Sequence, residues 1–188
     1  NNRALAGMAV YGEGANSRVF WNNAGQINVN STSNNANATA SAGFIRGRSQ
    51  ADVVNTGTLT VSELSGNTKL TGLEVYMMGG STVPVSANLS NSGTILVYSP
   101  TASFVSGVAM GQVAANSGGL PSSFKLNNSG TIQLDTNPAK GWVVELSSNS
   151  VTNVSFDIDN SGALLAKDRS GWAVVLNGGA AKVTLNNT

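Results

Sequence analysis

Cysteine and histidine are both missing from the 188 residues, and charge is scarce. Charged residues make up 10% of the chain, against about 25% in an ordinary globular domain. Without Cys or His there are no disulfides, no thiolate or imidazole zinc sites, and no Ser-His-Asp or Cys-His catalysis. Lys and Arg number 10 and Asp and Glu 9, a net charge of +1. That balance excludes an electrostatic binder of nucleic acid or anionic membranes. No apolar run approaches the roughly 18 residues needed to span a bilayer. The start, Asn1-Asn2-Arg3, lacks the shape of a signal peptide; an excised or processed segment would look the same, so export stays open. Absence of Cys suits a surface-exported bacterial protein and a cytosolic protein alike.

Asn, Ser, Thr and 22 Gly take the place of charge, beside 40% hydrophobic residues. That apolar share is enough for a core, so low charge does not signal disorder. The length suits one domain or part of a larger one, and residues 1–188 read as a single segment.

A repeat organises the chain. The string Asn-x-Gly-x-aliphatic recurs at Asn23–Ile27, Asn55–Leu59, Asn91–Ile95, Asn128–Ile132 and Asn160–Leu164, and a sixth copy begins at Asn187. Two residues before each Asn sit Trp21, Val53, Leu89, Leu126, Ile158 and Leu185. Four before sit Val19, Ala51, Ala87, Phe124, Phe156 and Val183. After each Gly come the pairs Ile27/Val29, Leu59/Val61, Ile95/Val97, Ile132/Leu134 and Leu164/Ala166. Alternation of period 2 predicts two strands with one buried face each, joined at a sharp bend. Asn and Gly suit a bend with positive φ.

A second string, a small or polar residue, Gly and an apolar stretch, recurs around Gly7, Gly43, Gly72, Gly107, Gly141 and Gly171. Each repeat therefore holds three short strands. The fold class expected is all-β: a parallel β-helix of about six coils of three strands, with equivalent strands stacked at roughly 4.8 Å. Stacked Asn side chains would form an amide ladder, and the repeated core positions carry no charge. A β-propeller needs four strands per blade, and a β-sandwich would not require the same motif in every coil. Aligned on its glycines, the second string puts Phe44, Leu73, Val108, Trp142 and Trp172 in one column and Arg46 in the column of Val10, Val75, Met110, Val144 and Val174. Asn28–Ser41, Gly79–Ser86 and Gly111–Ser123 read as projecting loops, the usual carriers of binding.

The Asn-Ser/Thr-Gly-Thr/Ala-Ile/Leu unit, at Asn55–Val61, Asn91–Val97, Asn128–Leu134 and Asn160–Ala166, resembles the passenger β-helix of Gram-negative autotransporters. It is also similar to the shorter repeats of two-partner-secreted exoproteins. The resemblance covers about Ala6 to Thr188. It implies a right-handed helix and a secreted or outer-membrane surface location. It also implies a signal peptide and a translocator barrel outside this chain, and an adhesin role in host attachment or cell–cell aggregation. The partners implied are a host surface glycan, a matrix protein or identical passengers, with no nucleic acid and no cofactor. The truncated last copy suggests an internal segment of a longer stalk.

Parallel β-helices also house polysaccharide-degrading enzymes, so titratable groups were weighed. Asp157 and Asp159 point to one face about 7 Å apart, close enough for acid/base work or a cation. The plainer reading is a solvated strand face, with Lys125 and Thr184 in the column of Asp157 and Lys125 pairing with Asp157. Lys167, Asp168 and Arg169 read as a solvated turn. Arg3, Arg18, Arg46 and Arg48 place basic charge in the first two coils, where an anionic glycan could be drawn. Trp142 and Trp172 read as a core column, with exposed sugar-stacking aromatics as the alternative. Tyr11 and Tyr76 read as exposed contact residues. Asn37-Ala38-Thr39 and Asn153-Val154-Ser155 are sequons expected by chance in such a composition, and Gly12-Glu13-Gly14 does not extend to a phosphate loop. No catalytic, cofactor or metal residue is assigned. The expectation is a non-enzymatic binding module, with a polysaccharide-degrading enzyme or a passive stalk as alternatives.

Overall fold

The computed structural model describes residues 4–32, 38–64, 68–79, 82–114, 119–136, 140–148, 153–167, 171–178 and 181–188. Every third strand falls in the same sheet, and every pairing is parallel. Sheet A stacks β1 (Ala4–Tyr11), β4 (Thr39–Gly47), β7 (Lys69–Met77), β10 (Phe104–Gln112), β13 (Lys140–Ser147) and β16 (Gly171–Asn177). Sheet B stacks β2 (Arg18–Asn23), β5 (Gln50–Asn55), β8 (Val85–Asn91), β11 (Ser122–Asn128), β14 (Val154–Asn160) and β17 (Ala181–Asn187). Sheet C stacks β3 (Gln26–Ser31), β6 (Thr58–Glu63), β9 (Thr94–Ser99), β12 (Thr131–Thr136) and β15 (Ala163–Lys167). The chain is thus a parallel β-helix. Its five complete coils and a two-strand sixth differ slightly from the expected count of about six coils of three strands.

Sheets B and C follow from strict alternation. β5 and β6 both bury every second residue, and the expected columns hold throughout. Trp21, Val53, Leu89, Leu126, Ile158 and Leu185 are in register, as are Val19, Ala51, Ala87, Phe124, Phe156 and Val183. Phe124 and Phe156 stack with ring centroids 5.1 Å apart.

The corner between these sheets is two residues long in every coil. There the amide ladder forms. Asn23 Nδ2 donates to Asn55 Oδ1 at 2.8 Å, Asn55 to Asn91 at 2.7 Å, Asn91 to Asn128 at 2.7 Å, Asn128 to Asn160 at 2.6 Å and Asn160 to Asn187 at 2.6 Å. Each Asn carbonyl also accepts from the coil above. Asn55 O takes the amides of Ser92 (2.9 Å) and Gly93 (3.2 Å).

The glycine is required for a different reason from the one expected. Positive φ occurs, among the described residues, only at Asn153, Gly119 and Gly178. At the corner, a Cβ on Gly93 would lie 2.0 Å from the carbonyl oxygen of Gly57, and Gly57, Gly130 and Gly162 repeat that approach. Gly57 O is itself held by the Thr94 amide at 2.9 Å. Only glycine lets adjacent backbones stack so closely.

Sheet A departs from the glycine alignment. Gly7, Ala42, Gly72, Gly107 and Val143 occupy equivalent positions, so Gly43 is displaced by one residue and Gly141 by two. The register follows summed side-chain volume. Val105-Ser106-Gly107 in one coil faces Gly141-Trp142-Val143 in the next, exchanging the large and the absent side chain across two inward positions. Arg46 therefore pairs with Tyr11 and Tyr76, whereas Val10 aligns with Ile45, Val75, Met110, Leu146 and Leu176. Trp142 aligns with Ser41, Thr71 and Ser106 through the stack and with Trp172 beyond, not with Phe44, Leu73 and Val108.

The predicted loops shrink. Asn28–Ser31, Thr39–Ser41, Val85–Ser86, Gly111–Gln112 and Ser122–Ser123 belong to strands, their small polar residues taking outward or corner positions. One buried carboxylate breaks the uncharged interior: Glu63, at the end of β6, accepts from the Ser31 hydroxyl (3.4 Å) and the Thr68 amide (3.3 Å). At the ends of the stack the inward columns open. Leu185 is 50% exposed, whereas Ile158 beneath it is 1% exposed.

Asn91→Ala should lower stability by about 2–5 kcal/mol, because it strands the Asn55 donor and the Asn128 acceptor. Gly93→Ala should cost about 3 kcal/mol through the clash with Gly57. A Cβ on Gly25 meets nothing within 4 Å, so Gly25→Ala should stay within about 0.5 kcal/mol of wild type. Urea unfolding followed by circular dichroism checks all three.

Candidate functional site

The acidic pair singled out from the sequence lies on the outer face of sheet B, with Asp157 exposed. Lys125 is in register with Asp157 but bonds Asp159 instead, Nζ to Oδ2 at 3.0 Å. Asn186 Nδ2 donates to Asp159 Oδ1 at 2.7 Å. These hydrogen bonds, from Asn186 first and then Lys125, hold the Asp159 carboxyl below the usual carboxylate range. Asp159 is thus a hydrogen-bonded member of a ladder on the outer face of sheet B.

The other candidates separate. Asp168, Arg169, Arg3 and Asn37 lie outside the described residues, as does the side chain of Trp172. Lys167 pairs with Asp135 at 3.6 Å. Arg18 is exposed at the start of β2, Arg46 is half-buried near the end of β4, and Arg48 lies in the two-residue connection between β4 and β5. Asn153 is exposed and donates to Gly119 O at 3.0 Å. Tyr11 is 56% exposed, as expected; Tyr76 is half-buried.

The outer face of sheet A brings together a group that the sequence reading missed. Gly72 and Leu73 both turn inward: a Cβ on Gly72 would meet Ile95 at 2.3 Å, and Leu73 is fully buried. Gly107 and Val108 repeat this in the next coil. Two successive inward residues crease the sheet, so the outward side chains on either side of the crease converge into a trough. Thr71, Ser106, Ala109 and Glu145 are buried there although they face away from the core.

Glu145 ties four coils together. Its Oε2 accepts from Ser106 Oγ at 2.8 Å and lies 3.7 Å from Lys69 Nζ, and its Oε1 accepts from Asn177 at 3.3 Å. Glu74 stands in the same column two coils earlier, with Ala109 between them, a backbone separation of roughly 10 Å. Burial pushes the Glu74 carboxyl above its ordinary range, Lys69 opposes this, and the charge of Glu145 adds to it; a Thr71 hydrogen bond and Arg46 pull it back down. Burial, then Glu145 and Glu74, push the Tyr76 phenol up, so it stays a neutral donor.

Aromatic rings border these groups. Phe104 and Trp142 meet edge to face at 4.4 Å, and Lys69 lies over the Phe104 ring at 5.0 Å. Arg46 lies over Phe44 at 5.4 Å. Trp142, Phe104, Phe44 and Tyr76 are all half-buried. Trp142 is therefore a rim residue, not part of a core column. Aligning the repeats on Val75, Met110 and Leu146 rather than on glycine would have placed Glu74, Ala109 and Glu145 in one column, and that signal was in the sequence. Among the described residues no group of three or more acidic side chains is placed to hold a metal ion.

Sheets B and C present a different surface. Val54, Ser90, Asn127, Asp159 and Asn186 share an outward column, and a shallow depression of about 420 Å³ runs along it beside the Asn corner. No protein-family model, curated protein or solved structure matches this chain.

The Glu74 shift has a pH signature. Its folded-state pKa is raised, so its contribution to stability is complete below the ordinary glutamate range and is lost as pH rises through the raised value. Glu74→Gln should match wild type in acid and be more stable than it at neutral pH, as read from urea midpoints across pH.

Proposed function

We propose that the chain is a passenger segment of the autotransporter type, carried on a bacterial surface or released, that binds and does not transform. It acts as an adhesin rod in host attachment or cell–cell aggregation. Its partners are a host surface glycan or matrix protein, or identical passengers.

The observation that carries this reading is the charge-poor, hydrogen-bonding exterior of a stack of parallel strands. The outward columns of sheets B and C repeat Asn, Ser and Thr from coil to coil, as in Thr58, Thr94 and Thr131 or Ser90 and Asn127. Each such group contributes a net hydrogen-bond term of about 1 kcal/mol or less, so affinity would come from many contacts along two aligned rods. Some of the charges there are engaged, Lys125 with Asp159, Lys167 with Asp135, and Asp52 with Asn88, while Arg18, Asp157 and Lys182 stand exposed on sheet B with both signs interspersed. Little repulsion then opposes two identical faces. The engagement of Asp159 by Lys125 and Asn186 also favours binding over acid/base chemistry at that residue.

Sedimentation of the purified chain should reveal concentration-dependent self-association, or the chain should bind cells, glycans or matrix proteins. The double substitution Ser90→Lys, Asn127→Lys should weaken that association at least about tenfold by placing like charges on facing columns. A chain that stays monomeric at high concentration and binds nothing in these assays overturns the reading.

A further inference from the structure

The trough on sheet A sets half-buried aromatic rings beside buried hydrogen-bonding groups. From Phe44 to Trp142 it crosses three strand spacings, about 14 Å, which suits a short chain of linked units better than one small molecule. Among the described side chains, Lys69 and Arg46 stand against Glu74 and Glu145 and cancel in formal charge, so these four give a phosphate-bearing or sulfated ligand no surplus of cations. The strands of the trough are paired on both sides, β10 with β7 and β13, so no peptide strand can add to them. The crease is floored by Thr71, Ser106, Ala109 and Glu145, mostly polar groups, so a lipid or an amphipathic helix finds a poor match.

What fits is a ligand with alternating C–H faces and hydroxyl groups. Aromatic rings pack against such faces, and a few placed polar groups fix orientation. We propose that this trough binds an uncharged oligosaccharide, stacked on Trp142, which Phe104 buttresses, and hydrogen-bonded by Glu74, Tyr76 and Lys69. The inference rests on the reading of the chain as a binding module and names a ligand class for it. Glu145 is a positioning residue: its bonds to Ser106, Lys69 and Asn177 hold the rim in place across four coils.

Isothermal titration calorimetry with neutral tetrasaccharides of glucose, N-acetylglucosamine and mannose, and with a heparin tetrasaccharide, tests the site at about millimolar concentration. At least one neutral tetrasaccharide should bind, with a Kd that changes by less than about twofold between low and high salt. Trp142→Ala should weaken it at least about tenfold, and Trp142→Tyr should retain most of the affinity. Glu74→Gln, expected to fold at least as stably as wild type, should also weaken binding, so the result does not depend on Trp142→Ala remaining folded. No heat with any neutral tetrasaccharide overturns the proposal. So does wild-type affinity in both Trp142→Ala and Glu74→Gln, or salt-sensitive binding of heparin alone. Cell adhesion and sedimentation run in parallel separate the two readings. Adhesion or self-association without neutral-glycan binding overturns this site and leaves the passenger reading standing.

Discussion

The structure depends on how closely one coil can sit on the next at the Asn-x-Gly corner. The glycine Cα approaches the carbonyl beneath it at a distance no side chain tolerates, and the Asn amide closes the gap with a hydrogen bond to its neighbour above. The two features need each other. Without the close approach the amides would not reach. Without the ladder a buried Asn donor or acceptor would be left bare, at a cost of about 1–3 kcal/mol per group. The corner therefore fixes the register of sheets B and C together, although successive Asn residues are separated by 32, 36, 37, 32 and 27 positions.

Variation in repeat length has to be absorbed elsewhere, and it falls on the two corners that flank sheet A. Connections there range from two to nine residues. Sheet A is thereby released from the corner and held by packing. Val105 with Gly107 fills the same space as Gly141 with Val143, a volume-conserving exchange of the kind cores tolerate best. Trp21 occupies part of what Gly43 leaves open, since a Cβ on Gly43 would lie 3.3 Å from its ring.

That division explains what was legible in the sequence. In sheets B and C every expected column was right, because period-2 alternation and a fixed two-residue corner over-determine the register. The role of the corner glycine was misread, since the string Asn-x-Gly looks the same whether it serves a positive φ or a close contact. In sheet A an alignment on glycine fails, because there glycine is one half of a packing exchange. That alignment displaces Arg46 and Phe44 by one position and sends Trp142 to the core. The same slip hid Glu74 and Glu145, which share a column only in the true register. Asp157 and Asp159 were legible as surface residues, but the diagonal bond from Lys125 to Asp159 depends on side-chain reach that register alone does not give.

A stacked scaffold also constrains how its exterior can bind. Every outward column repeats at the strand spacing, so sheets B and C offer a periodic surface on which many weak contacts must act together. Sheet A is the exception because its crease breaks the alternation. Two successive inward residues force the outer side chains to converge, and converging polar groups have to satisfy one another. Glu145 does so through three partners from other coils, each held by a different part of the stack. The contacts that seal the trough are therefore also contacts that join the coils. Its aromatic rim sits on groups already ordered by folding, so a ligand would find the site pre-organised and less ordering entropy would oppose its binding. A flat ladder obtains affinity from length; a creased one can obtain it from a few fixed groups.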